Sequence, residues 1–335
     1  MSLVDRRWLL AQATERLPAG KVLFIDADEL VQDIARTRPD ITPIVFSTAR
    51  TAWLADKLPR LAGVCMGFNQ AKQLVRLQLT MLAECVPEGT LLWLYGGGRA
   101  GIASAGQLLA DHWHHVSKLA YGGHAELWGA QLAEAAPARG LAAWEERHVY
   151  HVAGQDLVLI SLPGVFSHGE VDDGTRLLLS HLPLLPAGAR VHDFGHGCGI
   201  IAAWLKRRQP DLRVSGSDIS AMAHEAAKAT LRANDVREVP LYVEAGLGKI
   251  PGPLDVIVSN PPFHSGQKTD MSISEDLFRT AAQKLAPGGL VYIVGNRFLP
   301  YRTQLEQLIG PTEVLADDKR FWVLAARKGA RRVVK

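Results

Sequence analysis

Three short stretches of this 335-residue chain carry residue types and spacings that could do chemistry. The first is Asn260-Pro261-Pro262-Phe263, directly after the apolar run LDVIVS. Two successive prolines give up two backbone donors and hold the chain extended. What remains is a rigid set of acceptors, the Asn260 amide oxygen and the Pro261 carbonyl, beside an aromatic ring. The second stretch is Asp193-Phe194-Gly195-His196-Gly197-Cys198-Gly199, between an apolar strand and an apolar helix. Glycine is needed where a backbone turns tightly or must approach a ligand with no Cβ in the way. At the end of the next strand stands Asp218, whose carboxylate can accept from both hydroxyls of a ribose and would repel a 2′-phosphate. The third stretch, Gly96-Gly97-Gly98-Arg99-Ala100-Gly101, also follows a strand, but Tyr95 stands where an acid is wanted and no Asp or Glu follows at the second-strand position. It reads as a packing turn.

These residues need elements to hold them. In the second half of the chain ARVHDF, LRVSGSD, PLYVEA, LDVIVS and GLVYIVG read as buried strands. They alternate with helices at GIIAAWLKRRQ, SAMAHEAAKATLRAND and SISEDLFRTAAQKLA, the last closed by Pro287-Gly288-Gly289. Such alternation predicts a parallel sheet covered on both faces. After the helix YRTQLEQLI, TEVLA and RFWVLAAR are separated by so short a turn that they must pair antiparallel. The first half repeats the plan in a worn form, with strands at VLFID, ITPIVFS and TLLWLYG, a helix at QAKQLVRLQLTMLAEC, and the glycine stretch leading into another helix. A duplication of the fold follows, with units at 1–155 and 156–335 and WEERHVYHVAGQDLVLISLPGVFS as connecting strands.

Composition bounds the rest. With 47% apolar residues, both units can bury a core. No uncharged apolar run is long enough to cross a membrane, and the start of the chain is too short in apolar residues for a secretory signal, so a soluble cytoplasmic protein is expected. The 3 cysteines lie far apart, without metal-ligand spacing, and are expected to be reduced thiols. His112, His114 and His115 lack the spacing of a helical zinc site, and no metal is expected. The net charge of +3 comes from the second half, where Lys206-Arg207-Arg208 and the basic tail are candidates for a polyanionic partner.

The glycine turn and Asp218 alone leave NAD, FAD and S-adenosylmethionine open. The terminal antiparallel hairpin and Asn-Pro-Pro-Phe favour the last. Together they resemble the class I S-adenosylmethionine-dependent methyltransferases that act on exocyclic or amide nitrogen. An NH₂ conjugated to a base is a poor nucleophile, and hydrogen bonds from its two N–H groups to the Asn260 oxygen and the Pro261 carbonyl would bias it toward a tetrahedral nitrogen, with Phe263 stacked on the base. Upstream, Gly164-Val165-Phe166-Ser167 and Val171-Asp172-Asp173-Gly174-Thr175 resemble the leading segment of the small-subunit ribosomal RNA guanine-N2 methyltransferases, whose phrases SNPPFH and N-x-F-L-P-Y recur here at 259–264 and 296–301.

That resemblance implies a fold of two tandem Rossmann-like methyltransferase domains. The second is catalytic, a mostly parallel seven-stranded sheet with a terminal antiparallel hairpin. The first is degenerate and serves folding or RNA docking. It implies S-adenosyl-L-methionine as cofactor and the N2 amine of a guanosine in 16S rRNA as target. Asp193, Gly195, Gly197 and Gly199 would bound the cofactor's methionine end and Asp218 its ribose, with Ile219 beside it. Phe166, Asp172 and Thr175 would close the pocket as contacts of the cofactor, joined by Asn260, and Asn260, Pro261, Pro262, Phe263 and His264 would hold the guanine. Two departures stand out: His196 where many relatives have Cys, and Glu244-Ala245-Gly246 where an adenine contact is usual. Competing expectations are a large-subunit rRNA guanine-N2 enzyme, a protein-glutamine methyltransferase, and an RNA-binding assembly factor without activity. A monomer is the default.

Overall fold

Parallel strands covered on both faces are the physical outlet for the short apolar runs in each half of the chain. The computed structural model describes residues 8, 11–12, 15–53, 58–166, 169–261 and 268–329, and divides into two compact units, Met1–Trp144 and Glu145–Lys335.

In the first unit β1 (Gly20–Ile25), β2 (Ile41–Phe46), β3 (Gly63–Gly67), β4 (Leu91–Gly97), β5 (Trp113–Gly122) and β6 (Ala125–Leu132) form one sheet in the order β2-β1-β3-β4-β6-β5. Strands β1 to β4 are parallel, and β6 lies antiparallel to both β4 and β5. Helices α1 (Asp28–Thr37), α2 (Lys72–Cys85) and α3 (Ala105–Leu109) complete it, α2 burying Leu74, Val75, Leu79 and Leu82. The glycine stretch differs from the expected strand, turn and helix. Gly96 and Gly97 continue β4, and two single 3₁₀ turns, Gly98–Ala100 and Ile102–Ser104, precede the short α3.

The second unit opens with an antiparallel hairpin, β7 (Glu146–Val152) and β8 (Gln155–Ser161), joined at Ala153-Gly154, both at positive φ as a tight hairpin requires. Then follow α4 (Asp173–His181), β9 (Arg190–Phe194), α5 (Ile200–Arg208), β10 (Arg213–Asp218), α6 (Ala221–Ala233), β11 (Leu241–Val243), β12 (Leu254–Ser259), α7 (Lys268–Lys284), β13 (Leu285–Asn296), α8 (Tyr301–Leu308), β14 (Thr312–Asp317) and β15 (Phe321–Arg327). The sheet order is β11-β10-β9-β12-β13-β15-β14, parallel except for β15, which runs against both neighbours. This is the seven-stranded sheet with an antiparallel end that the sequence predicts. Central strands β9 and β12 are buried almost throughout, as strands covered on both faces must be.

The free edge of β8 is satisfied by helix α6 and its C-cap. The Asn234 amide accepts from Val158 N (2.9 Å) and donates to Val158 O (2.6 Å), and Thr230 Oγ1 accepts from Ile160 N (2.9 Å). Buried backbone groups need partners, and these come from the second unit. The hairpin therefore belongs with that unit, and the division falls after Trp144 rather than at 155/156.

The chain winds from β9 through β10 to β11 on one side, then returns to place β12 on the other side of β9. Where the winding reverses, the carboxyl ends of adjacent strands part and leave a crevice. The ends of β9 and β12 sit side by side there, with Phe194 opposite Ser259 and the Ser259 hydroxyl donating to Phe194 O at 2.8 Å.

Candidate active site

The turn that leaves β9 is built from three glycines at positive φ: Gly195 at 70°, Gly197 at 51° and Gly199 at 80°. A Cβ on Gly195 or Gly197 would meet nothing within 4 Å, so both present bare backbone to open space. Gly199 is required for a different reason: a Cβ there would lie 2.8 Å from that of Ala227, where α5 packs on α6. The turn is anchored from β10, since Ser217 O accepts from Gly195 N at 2.8 Å and from His196 N at 3.1 Å. Beneath it the buried His192 ring shares hydrogen bonds with Ser215 Oγ and Ser217 Oγ, both 2.9 Å. Burial holds that ring neutral, with its pKa down at about 3. Nothing in the sequence flags this support, because a histidine in an apolar strand carries no spacing signal.

Asp193 is completely buried at the end of β9. Its Oδ2 accepts from Ala202 N at 3.2 Å, in the first turn of α5, where the N-cap Gly199 has no side chain to do so. Its Oδ1 is buried with no partner among the described residues. Burial, together with the charge of Asp218, pushes the Asp193 carboxyl up to about 8. A buried, half-satisfied acid in a crevice is the signature of a site that waits for a donor or a cation.

Asp218 closes the other wall at the end of β10. Its Oδ2 accepts from Gly197 N at 3.0 Å and its Oδ1 from Ser220 N at 2.9 Å. Each carboxylate oxygen keeps a further lone pair, so the side chain is fixed in place and can still accept from a diol. Ile219 beside it is 62% exposed, and Phe166, after β8, is 51% exposed. Both are large apolar side chains left uncovered. His196 is accommodated because Gly216 in β10 leaves room: a Cβ on Gly216 would lie 3.1 Å from the His196 ring. Glu244 is paired with Lys249 at 2.7 Å, and Gly246 has open space around it.

Asn260 follows β12. Its Nδ2 donates to Asp172 Oδ2 at 2.9 Å and to Thr175 Oγ1 at 2.8 Å, and its Oδ1 is buried with no partner among the described residues. The same Asp172 oxygen caps α4, accepting from Gly174 N at 2.9 Å and Thr175 N at 3.2 Å. Sequence reasoning finds Asp172 and Thr175 but assigns them to the cofactor, whereas their side chains meet Asn260. No periodicity announces a contact between residues so far apart in sequence. Pro261 is buried next to Asn260. Pro262, Phe263 and His264 lie outside the described residues, as does Ser167.

S-adenosylmethionine fits this donor set. Asp193 would suit its ammonium and sulfonium, Asp218 its ribose diol, and the exposed apolar side chains its adenine. Among the described residues no group of three or more His, Cys, Asp or Glu could hold a metal ion, and no helix is long and apolar enough to cross a membrane.

Known proteins resemble both halves of the chain. The family described as "Methyltransferase small domain" matches residues 156–325, and "Methyltransferase small domain N-terminal" matches residues 53–148. Ribosomal RNA small subunit methyltransferase C of Hahella chejuensis (strain KCTC 2396) is 37% identical over 263 residues, covering 78% of this chain and 76% of the relative. The Pseudomonas aeruginosa (strain LESB58) protein of the same name is 39% identical over 259 residues, covering 77% of each. Among solved structures, a T. thermophilus 16S rRNA N2 guanosine-1207 methyltransferase, in complex with AdoMet and guanosine, superposes with a TM-score of 0.80 at 22% identity, covering 96% of this chain and 91% of that one. That structure's fold thus extends over nearly the whole chain, and the relatives span most of it. The protein belongs to the ribosomal RNA small subunit methyltransferase C family.

Proposed function

We propose that this protein transfers a methyl group from S-adenosyl-L-methionine to the exocyclic N2 amine of a guanosine in 16S rRNA, the family target being guanosine 1207. The observation that carries this reading is the Oδ1 of Asn260, buried without a partner among the described residues and held at the end of β12 beside the glycine turn. When bound, the cofactor supplies an electrophilic methyl on a sulfonium. The glycine turn and Asp193 hold its methionine end, Asp218 and Ile219 its ribose, and Phe166 covers it.

The protein's part in the reaction concerns the amine. Asn260 Oδ1 and the Pro261 carbonyl accept the two N–H groups, draw the nitrogen out of conjugation and aim its lone pair across the crevice. The family resemblance gives the stacking on the flipped base to Phe263, and further substrate contacts to Pro262 and His264. No strong general base is needed before attack, because the amine carries its protons until the new bond has formed and sheds one afterwards. The first unit supports folding or docks RNA, and the protein works in the cytoplasm as a monomer.

The test is tritium transfer from labelled S-adenosylmethionine to separated 16S rRNA, 23S rRNA and ribosomal proteins from a strain lacking this protein, followed by nucleoside analysis. Label appearing as N2-methylguanosine in 16S rRNA is expected. Label confined to 23S rRNA or to protein glutamine would keep the amine chemistry and overturn the substrate. Absence of saturable cofactor binding would leave only an assembly factor.

A further inference from the structure

A primary amide has two orientations that differ little in shape and completely in chemistry. Turned one way it offers an acceptor to the crevice, and turned the other way it offers two donors. An NH₂ substrate can use only the first, since donor against donor makes no hydrogen bond. What decides the orientation of Asn260 is therefore part of the catalytic apparatus.

The neighbours of Asn260 settle it. The Asp172 carboxylate accepts and does not donate, so the atom 2.9 Å from its Oδ2 must be the amide nitrogen. The nitrogen's second hydrogen goes to Thr175 Oγ1 at 2.8 Å. Both donors are then engaged, and Oδ1 is the atom left buried without a partner among the described residues. Asp172 is itself fixed by the amides of Gly174 and Thr175 at the start of α4, so helix cap and amide orientation are set by one oxygen. The same contact accounts for the residue type at 260. A carboxylate there would face the Asp172 carboxylate at hydrogen-bond distance, with no proton to share.

We propose that Asp172 and Thr175 are positioning residues that lock the Asn260 amide with its carbonyl oxygen toward the reacting amine. The inference rests on the reading of this protein as an amine methyltransferase and deepens it, since the sequence alone assigns both residues to the cofactor.

Asp172→Ser and Asp172→Asn separate this role from helix capping. Serine is as good an N-cap as aspartate but is one atom too short to hold Asn260, whereas asparagine keeps an oxygen for both tasks. For Asp172→Ser, kcat on 16S rRNA should fall about 30- to 100-fold, a loss expected for misdirecting one transition-state hydrogen bond, while for Asp172→Asn the loss should stay under about fivefold. KM and Kd for S-adenosylmethionine should move by less than about threefold in both, because the interaction matters in the transition state. Thr175→Val, which removes one acceptor and leaves the cap intact, should lower kcat about tenfold and guards against a misfolded Asp172 variant. Equal kcat for the serine and asparagine variants, or a loss confined to cofactor KM, would overturn the inference and leave Asp172 a helix cap or a cofactor contact. Wild-type protein that transfers no methyl to RNA would overturn the functional reading, and this inference with it.

Discussion

The two units are wound alike, yet the turns at their strand ends are built differently. The order β2-β1-β3-β4-β6-β5 in the first unit repeats β10-β9-β12-β13-β15-β14 in the second, down to the antiparallel pair at the end. Only the edge strand β11 has no counterpart among the described residues. After β9 the chain makes its left-handed glycine turn before α5 begins. After β1, Asp26 and Ala27 lead straight into α1 at Asp28. A Cβ on Gly67, at the end of β3, would collide with the Asp26 carbonyl oxygen, so the ends of β1 and β3 pack backbone against backbone. The acids differ as well. Asp193 keeps a buried free oxygen, whereas Asp26 is engaged by Thr48 N (2.8 Å), Thr48 Oγ1 (2.6 Å) and Gln78 Nε2 (2.7 Å). Concavity is not what the first unit lacks. A cavity of about 1090 Å³ lies at its carboxyl edge, lined by Asp26, Phe68, Asn69, Tyr95 and Arg99 among others. The comparison teaches that the winding supplies a crevice and that a few turn residues decide what it accepts.

The sharpest test of this contrast is Asn260→Ala, which should lower kcat by about 10²- to 10³-fold through loss of one preorganised acceptor. Calorimetric affinity for S-adenosylmethionine should hardly change, and with one competent crevice the stoichiometry should be one per chain. Two sites would break the comparison outright. Next in size is Gly67→Ala, which forces apart two packed backbones and should cost the first unit about 1–3 kcal/mol, read by hydrogen exchange of β1 and β3 amides. Gly197→Ala, in open space, should instead weaken cofactor binding.

Asp218→Ala should weaken cofactor affinity by about 1–3 kcal/mol, the worth of a charged acceptor. Asp26→Ala should leave that affinity unchanged while lowering the melting temperature. The last test concerns pH. The Asp193 pKa is raised from the ordinary 3.8 to about 8 in the folded chain, so between those values the folded state holds a proton that the unfolded state has lost. Its contribution to stability is complete below pH 4 and declines as pH rises to 8, by at most about 1.4 kcal/mol per pH unit. Asp193→Asn should flatten this decline in urea titrations of the cofactor-free protein, and an unchanged slope would mean that another group carries it.

Much of this was legible from residue order. Strands β12 and β13 stand out because strands buried on both faces read as runs of apolar residues, and the hairpin β14–β15 because a short connection leaves one geometry. Strand β3, GVCMG, is short and ends in glycines, and β5 is an edge strand with His114, His115 and Lys118 exposed, so neither carries a pattern that local reading can use. The boundary shifted for a similar reason: bonds between residues distant in sequence, such as those of Thr230 and Asn234 to β8, say which unit owns the hairpin.

By itself the sequence determined the kind of site, because glycine spacing, an acid at each of two strand ends and Asn-Pro-Pro-Phe are local properties of the chain. The tertiary structure decided which atoms face the crevice. Whether Asn260 presents oxygen or nitrogen, whether Asp193 is charged, and what lines the crevice at a second glycine-rich strand end depend on partners distant in sequence and on burial, and neither is a property of any short stretch of residues.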